Sequence, residues 1–439
     1  MHIYISGVGG SGLSSMAHLC LDLGFKVSGS DITESETTFN LIARGLNFNT
    51  NQIPKTLSQI HQILSIDYYL HSPAINQQNP EYRKAVELNL QFVTQNQLIN
   101  KILEEKKLRL LAVSGTHGKT TTTAMIVWLL QQLNIPVSYI IGTKISFGNS
   151  GKYDEKSQYL IFEADEFNRK FLELKPELSV VTTLDYDHPD TYPTRNDYYQ
   201  AFLKFFSKSN TVVINNKIAK LLCENDDLKI SKFINVDTET RIFKPKSTLK
   251  NLNLPGLHNR ENACLAVFAV KFLITNQKLL KLVNNDLIEI MNQFPGTKRR
   301  FEKIGFNLYS DYAHHPVEIR ATLQLAKEAT ENKSQKLIVV YQPHQNSRQI
   351  ELINSYVDCF NEADKIYWLP TFLARENPDL PILKPHQIIE NTEYKSKTFV
   401  QDLNNELKEK IKTHLESGDL VLILGAGNID QWFRDNFSE

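Results

Sequence analysis

The sequence predicts an α/β protein of three domains, each built around a mainly parallel sheet. Three observations predict it: a length of 439 residues, short apolar strands alternating with helical stretches throughout, and glycine loops placed directly after strands. At about 150 residues per domain, such a length provides for roughly two to four domains. With 41% hydrophobic and 22% charged residues, the chain has apolar material for several cores.

The first domain, 1–107, opens with the strand His2–Ser6, a glycine loop, and an apolar helix ended by Gly24; a second strand follows over 26–30. Strand, helix and strand in about thirty residues make a βαβ unit with a right-handed crossover, the start of a Rossmann-like domain. Residues 68–71 and 91–93 read as further strands, and the charged run 104–107, without periodicity, reads as a linker. The central domain, 108–294, starts with a strand over 110–114, a glycine loop and a helix over about 119–133. More strands are expected over 159–162, 178–182 and 211–214, and the polar stretch 225–254 reads as loops and short strands. Pro255-Gly256 breaks the chain before a long helix from Asn259, and Pro295-Gly296 marks the next boundary. The last domain, 295–439, is again Rossmann-like, with strands over 308–311, 337–341, 365–369 and 420–424 and helices from Pro316 and over 348–360.

Acidic and basic residues balance at 49 each, so the basic footprint of a nucleic-acid-binding protein is missing. The four cysteines (Cys20, Cys223, Cys264, Cys359) lie far apart and form no CxxC pair, which fits reduced thiols better than disulfides or zinc. No basic segment leads into an apolar stretch at the amino terminus, and no run approaches the ~18 apolar residues of a membrane span. A cytoplasmic location is the expectation.

The loop Gly115-Thr116-His117-Gly118-Lys119-Thr120-Thr121 lies between an apolar strand and a helix, where backbone N–H groups and a helix N-terminus meet phosphate. Lys119 supplies a cation for the β- and γ-phosphates of ATP, and the Thr120 hydroxyl can reach Mg²⁺. The loop has two residues between its glycines where the common P-loop has four. Glu163-Ala164-Asp165-Glu166 and Leu184-Asp185-Tyr186-Asp187-His188 each follow a strand, at the mouth of an open sheet where ligands bind. Magnesium favours one or two carboxylates with phosphate oxygens and water. Each cluster alone reads more readily as a solvated loop or a helix cap than as a metal site.

Asn259 and Asn262 stand three apart at the head of a helix, on one face, and amides can meet an adenine edge. Asn259 reads as well as a plain N-cap. Near the amino terminus, Gly7-Val8-Gly9-Gly10-Ser11-Gly12 with Asp31 fits a dinucleotide fingerprint, which taken alone predicts a dehydrogenase.

Taken in order, these motifs resemble those of the Mur ligase family over essentially the whole chain. The short loop Gly115–Thr121 is similar to the ATP loop of these ligases and of folylpolyglutamate synthases. By that resemblance, Glu163 and His188 bind the metals, and Gly256-Leu257-His258-Asn259-Arg260-Glu261-Asn262 lines the adenine. Arg300, within Lys298-Arg299-Arg300-Phe301, reaches the ATP phosphates, and Asp311 holds the nucleotide from the same side. Gly7, Gly9, Gly10, Ser11 and Gly12 hold the diphosphate of a UDP-sugar, with Asp31 nearby and Ser72, Pro73 and Ala74 forming a second loop. Tyr312, His314, His344 and Arg348 match the amino-acid pocket of members that accept alanine. Departures are Phe167-Asn168 where Ser-Asp is frequent, Thr183 for an asparagine, and Gln345 for the first of two arginines.

The resemblance implies ATP-dependent joining of L-alanine to the lactyl carboxylate of UDP-N-acetylmuramate through an acyl phosphate, with ATP and Mg²⁺ as cofactors. It implies a monomer or homodimer with small-molecule partners only. Glycine or serine as the amino acid, or ligation of a preformed tripeptide in recycling, are the alternatives within the family. A dehydrogenase leaves Lys119 and Glu163 unexplained, and a non-catalytic nucleotide-binding regulator does not require the intact lysine, carboxylate and histidine.

Overall fold

The computed structural model describes residues 1–188, 191–223, 233–235, 249–276, 284–330, 335–373 and 381–437. Most of the stretch 225–254 expected to be loops and short strands lies outside them. Three mainly parallel sheets are present, as the strand pattern predicts.

The first sheet contains β1 (His2–Ser6), β2 (Lys26–Asp31), β3 (Asn47–Thr50) and β4 (Tyr68–His71), in the order β3-β2-β1-β4, all parallel. Helix α1 (Ser11–Asp22) crosses from β1 to β2, α2 (Glu36–Ala43) and α3 (Pro54–Ile63) follow, and α4 (Pro80–Glu87) comes after β4. β1 is buried along its whole length, as expected of a central parallel strand covered on both faces. The chain order reverses at β1, so the loops leaving β1 and β4 meet at a topological switch point.

Two expectations here need correction. Residues 91–93 form no ladder strand; Phe92 pairs with Tyr69 in a single bridge. The charged run 104–107 is not a linker but the end of α5 (Gln95–Lys106). A Thr94–Gln97 capping box starts that helix, burial of Leu98, Ile99 and Ile102 holds it, and Lys107 closes it in a left-handed conformation (φ 53).

The second sheet has seven strands in the order β11-β10-β9-β5-β8-β6-β7. These are β5 (Arg109–Ser114), β6 (Ser138–Ile140), β7 (Gly151–Lys152), β8 (Tyr159–Glu163), β9 (Leu178–Val181), β10 (Thr211–Ile214) and β11 (Phe233–Asn235). Only β7 pairs antiparallel. Helix α6 (Lys119–Gln132) leaves the glycine loop after β5. The long helix runs over Leu257–Asn276, starting two residues before Asn259.

The third sheet runs β12-β13-β17-β14-β15-β16, with only the β12–β13 hairpin antiparallel. Its strands are β12 (Glu302–Gly305), β13 (Leu308–Asp311), β14 (Leu337–Tyr341), β15 (Lys365–Trp368), β16 (Thr398–Val400) and β17 (Leu420–Leu424). The helix expected over 348–360 is instead a short helix, Asn346–Glu351, followed by a 3₁₀ turn, Ile353–Tyr356. Asn354 and Ser355 favour turns over helix, and Arg320 draws the Ser355 carbonyl outward with a 3.0 Å hydrogen bond.

The first two sheets pack into one compact unit, Met1–Asp187 with Thr191–Leu252 and Asn262–Pro295. The third builds a second unit with His188–Asp190 and Asn253–Glu261.

Candidate active site

In the first unit, three neighbouring parallel strands, β8, β5 and β9, deliver their carboxyl ends to one edge. The loop after β5 is tied to the segment after β9. Thr116 N–H donates to Thr183 O (3.0 Å) and His117 N–H to Thr183 Oγ1 (2.9 Å). The Thr116 hydroxyl donates to Asp185 O (2.6 Å) and lies 2.7 Å from the Tyr198 hydroxyl. Gly115 has φ +124, and a Cβ there would stand 2.4 Å from Thr182 Oγ1. Gly118 has φ +83 and caps α6, and a Cβ there would meet the Asn262 amide at 2.7 Å. Only glycine allows this close winding. It aims the first turn of α6, with Lys119, Thr120 and the buried Thr121, at the sheet edge.

Glu163 ends β8 and is gripped from both sides. Its Oε2 accepts from the Thr120 hydroxyl at 3.0 Å, and its Oε1 accepts from the Gly142 N–H at 2.8 Å. A hydroxyl and a carboxylate so placed are hard oxygen donors of the kind that magnesium takes. The Lys119 ammonium lies 2.8 Å from Glu166 Oε2 and donates to Gly115 O at 2.6 Å. Burial lowers its pKa, but the Glu166, Asp165 and Glu163 carboxylates outweigh burial and hold it above its ordinary value. Glu166 is itself buried, so the pair is a deep one. His188 has a left-handed backbone (φ 58) and belongs to the second unit. Asn262 is buried against Gly118, whereas Asn259 turns its amide to the Pro255 carbonyl at 3.1 Å.

At the switch point of the first sheet, the loop Gly7–Gly12 and the loop Ser72-Pro73-Ala74 lie side by side. Ser72 N–H donates to Ser6 O at 2.9 Å, and a Cβ on Gly7 would stand 2.7 Å from Ser72 Cβ. Gly10 caps α1, whose first residues are Ser11 and Gly12. Asp31 accepts the Gly9 N–H at 2.8 Å, so its carboxylate braces the glycine loop. Beneath the loop lies a group that sequence reasoning passed over. The buried Glu81 carboxylate accepts hydroxyls from Tyr4 (2.6 Å), Ser30 (2.6 Å) and Ser6. In the sequence Glu81 reads only as a first-turn acid after the Asn79-Pro80 cap. Gly142 and Tyr198 were likewise missed, because a backbone N–H and a remote hydroxyl leave no motif.

In the second unit, Arg300 and Asp311 stand together. Asp311 is buried and accepts N–H groups of Phe301 and Ala313, each at 2.7 Å. Burial raises its pKa to about 6, against the opposing pull of Arg300 and those two amides. Arg300 lies over the Tyr312 ring at 5.2 Å, beside Arg299 at 4.6 Å. Arg299 also donates to Gly425 O at 2.6 Å, a bracing role that the sequence does not advertise.

The four residues of the predicted amino-acid pocket come together. Tyr312 and His314 have ring centroids 5.6 Å apart, His314 and His344 5.7 Å, and Arg348 Nη1 lies 3.5 Å from His344 Nδ1. Burial, helped by the Arg348 charge, pushes the His314 pKa down to about 3, so the ring is neutral at pH 7.

A phosphate-type loop carrying lysine and threonine, a facing carboxylate, and a second glycine loop at a switch point define a nucleotide-using α/β enzyme of several domains. Comparison with known families gives the class a name. Residues 2–107 match the Mur ligase family catalytic domain, 113–270 the Mur ligase middle domain, and 299–427 the Mur ligase glutamate ligase domain. The chain is 31% identical to the UDP-N-acetylmuramate–L-alanine ligase of Rickettsia felis, covering 99% of this chain and 95% of that protein. The enzyme of the same name from Desulforapulum autotrophicum is also 31% identical, over 98% and 96%. The chain belongs to the Mur ligase family. Its fold matches the UDP-N-acetylmuramate–alanine ligase of Thermotoga maritima with a TM-score of 0.75 at 24% identity, over 99% of this chain and 98% of that one. A murein peptide ligase from Psychrobacter arcticus gives 0.67 at 21% identity, with the same coverage.

Proposed function

We propose that this protein joins L-alanine to the lactyl carboxylate of UDP-N-acetylmuramate with hydrolysis of ATP to ADP and phosphate, in the cytoplasm, for peptidoglycan synthesis. The observation that carries the reading is the pair of glycine loops in one compact unit, one of them with Thr120 3.0 Å from Glu163.

In this reading Gly7–Gly12 and Ser72–Ala74 seat the UDP diphosphate, and Gly115–Thr121 wraps the phosphates of ATP. The lactyl carboxylate takes the γ-phosphoryl group, giving an acyl phosphate and ADP. The alanine amine then attacks the acyl carbon, and phosphate leaves from the tetrahedral adduct. Lys119 and Arg300 meet the charge that develops on the transferred group. Asn259 and Asn262 serve the adenine, and Asp311 holds the nucleotide. Tyr312, His314, His344 and Arg348 receive the amino acid, with Arg348 facing its carboxylate. Thr120, Glu163 and His188 are the residues to hold magnesium, which when bound offsets charge on the phosphate oxygens.

No helix among the described residues is long and apolar enough to cross a membrane. The test is ADP release with UDP-N-acetylmuramate, ATP and Mg²⁺, run with L-alanine, glycine, L-serine and the tripeptide L-alanyl-γ-D-glutamyl-meso-diaminopimelate in turn. Turnover with L-alanine is expected. Turnover with the tripeptide alone reassigns the protein to recycling, and none at all removes the ligase reading.

A further inference from the structure

Helix α1 begins at the donor loop, with Gly10 as its cap and Ser11 as its first residue. One turn along, Ser15 is fully buried, and its hydroxyl lies between a carbonyl of its own helix and one of the central domain. Its single proton is shared between Ile141 O of the central domain at 2.7 Å and Ser11 O at 2.8 Å, with the Ile141 contact the shorter. Ile141 is held again through its N–H, which donates to Ser150 O at 2.8 Å. The very next N–H, that of Gly142, donates to Glu163 Oε1.

Further along, β7 and Tyr153 lie against the same helix. A Cβ on Gly151 would stand 1.8 Å from Ser15 O, so β7 lies against α1 with no room for a side chain. At the far end of α1, Asp22 accepts the Tyr153 N–H at 3.0 Å. The segment is therefore clamped at both ends of one rigid helix. Its contact with Glu163 is tight: a Cβ on Gly142 would lie 3.0 and 3.2 Å from the two carboxylate oxygens.

We propose that Ser15 is a positioning residue for Glu163. The path Ser15–Ile141–Gly142–Glu163 lets the helix that carries the donor loop set where the metal-side carboxylate stands. A hydroxyl is required there because a buried carbonyl that loses its partner costs about 1–3 kcal/mol and is free to rotate away. Turning the 141–142 peptide takes the Gly142 N–H with it, and Glu163 Oε1 loses that hydrogen bond. A residue of the sugar-binding domain thereby governs metal affinity in the ATP-binding domain. This rests on the reading of Glu163 as a metal-side carboxylate.

The test compares Ser15→Ala, Gly142→Ala and Glu163→Gln in the full chain with the unaltered protein. Mn²⁺ binding in the presence of ATP is measured by electron paramagnetic resonance, and UDP-N-acetylmuramate binding by calorimetry. Removing a group that orients a metal ligand weakens metal binding about tenfold or more, and this loss is expected for Ser15→Ala, with a smaller change in donor affinity. Gly142→Ala reaches Glu163 without touching α1 and so tests the last step of the path. Ser15→Cys, of similar volume but with a weaker donor, tests Ser15 itself if Ser15→Ala does not fold, and unchanged Mn²⁺ binding in it counts against the path in the same way. Unchanged Mn²⁺ binding in Ser15→Ala, where Glu163→Gln loses it, overturns the path. Unchanged binding in Glu163→Gln overturns the metal reading of Glu163, and the proposal with it.

Discussion

The first unit builds its site from backbone, and the second builds its site from side chains. In the first, Gly7 and Gly115 sit where a single added carbon would strike a neighbour, so the path of the glycine loops shapes the site. In the second, rings and guanidinium groups converge: Tyr312 with Arg299 and Arg300, His314 with His344 and Arg348. His258 is pushed down to about 4 by burial and by Arg300, as His314 is pushed to about 3 by burial and Arg348. Neutral imidazoles beside permanent cations leave a positive region without proton exchange at neutral pH. The backbone site is vulnerable to volume, and the side-chain site to charge.

The largest effect tests Lys119, the lysine of the phosphate-type loop. Lys119→Ala is expected to lower kcat about 10²–10³-fold, the loss seen when a preorganised charge-stabilising donor is removed. Donor binding, measured by calorimetry with UDP-N-acetylmuramate, should stay as it was. A matching loss of donor affinity breaks the division of labour between the two glycine loops.

Next comes volume. Gly7 has φ +79, and its Cβ would press Ser72 at 2.7 Å. Overpacking of this kind costs about 1–3 kcal/mol, so Gly7→Ala should raise KM for the UDP-sugar about tenfold or more. The rate at saturating donor should fall far less. A loss confined to kcat shows that this loop does not carry the donor.

The same division explains what was legible in the sequence. The loops Gly115–Thr121 and Gly7–Gly12 announce themselves because backbone sites need glycines at fixed spacing after a strand. Glu163 was singled out by the resemblance of its motif, at the end of a strand, and it lies 3.0 Å from the Thr120 hydroxyl. Glu81 and Gly142 were not, since their importance lies in contacts across sheets that no local pattern encodes. The linker expected over 104–107 failed because its charged residues are the solvent side of a helix held by Leu98, Ile99 and Ile102. The helix expected over 348–360 stops at Glu351 and gives way to a 3₁₀ turn at Asn354-Ser355, residues that favour turns, with Arg320 bonded to the Ser355 carbonyl. Arg348 and His344 were found by motif, yet their neighbour Phe372, stacked on His344 at 5.8 Å, lies too far along the chain to be anticipated.

A pH profile sharpens the charge half of the comparison. Asp311 is raised to about 6 by burial, above its ordinary 3.8. The folded protein therefore keeps a proton that the unfolded chain releases between these values. Its contribution to stability is greatest below about pH 4, declines as pH rises to about 6, and is level above that. In the proposed function Asp311 accepts a hydrogen bond from the nucleotide, which the ionised carboxylate does more strongly, so activity is expected to run the other way. An acid limb in kcat/KM for ATP with its midpoint near pH 6 is expected, and Asp311→Asn should flatten it while lowering the plateau. An unaltered limb in that variant assigns it to another group.

The smallest effect concerns Gln345, where the family resemblance leads one to expect an arginine. Its backbone is left-handed (φ 69) and fixed from both sides, by Gln345 N–H to Phe372 O at 3.0 Å and by the Gln349 amide to Gln345 O at 3.4 Å. Glutamine and arginine bear that backbone conformation at equal cost, so a change between them tests the side chain alone. A neutral hydrogen bond contributes about 0.5–1.5 kcal/mol and a charge-assisted one about 1.5–3. Gln345→Arg is therefore expected to lower KM for L-alanine roughly fivefold, with kcat nearly unchanged. The gain should extend to glycine and L-serine, which share the carboxylate, and vanish for alaninamide, which lacks it. No gain with L-alanine shows that position 345 does not face the carboxylate, leaving Arg348 as the cation that this pocket offers it.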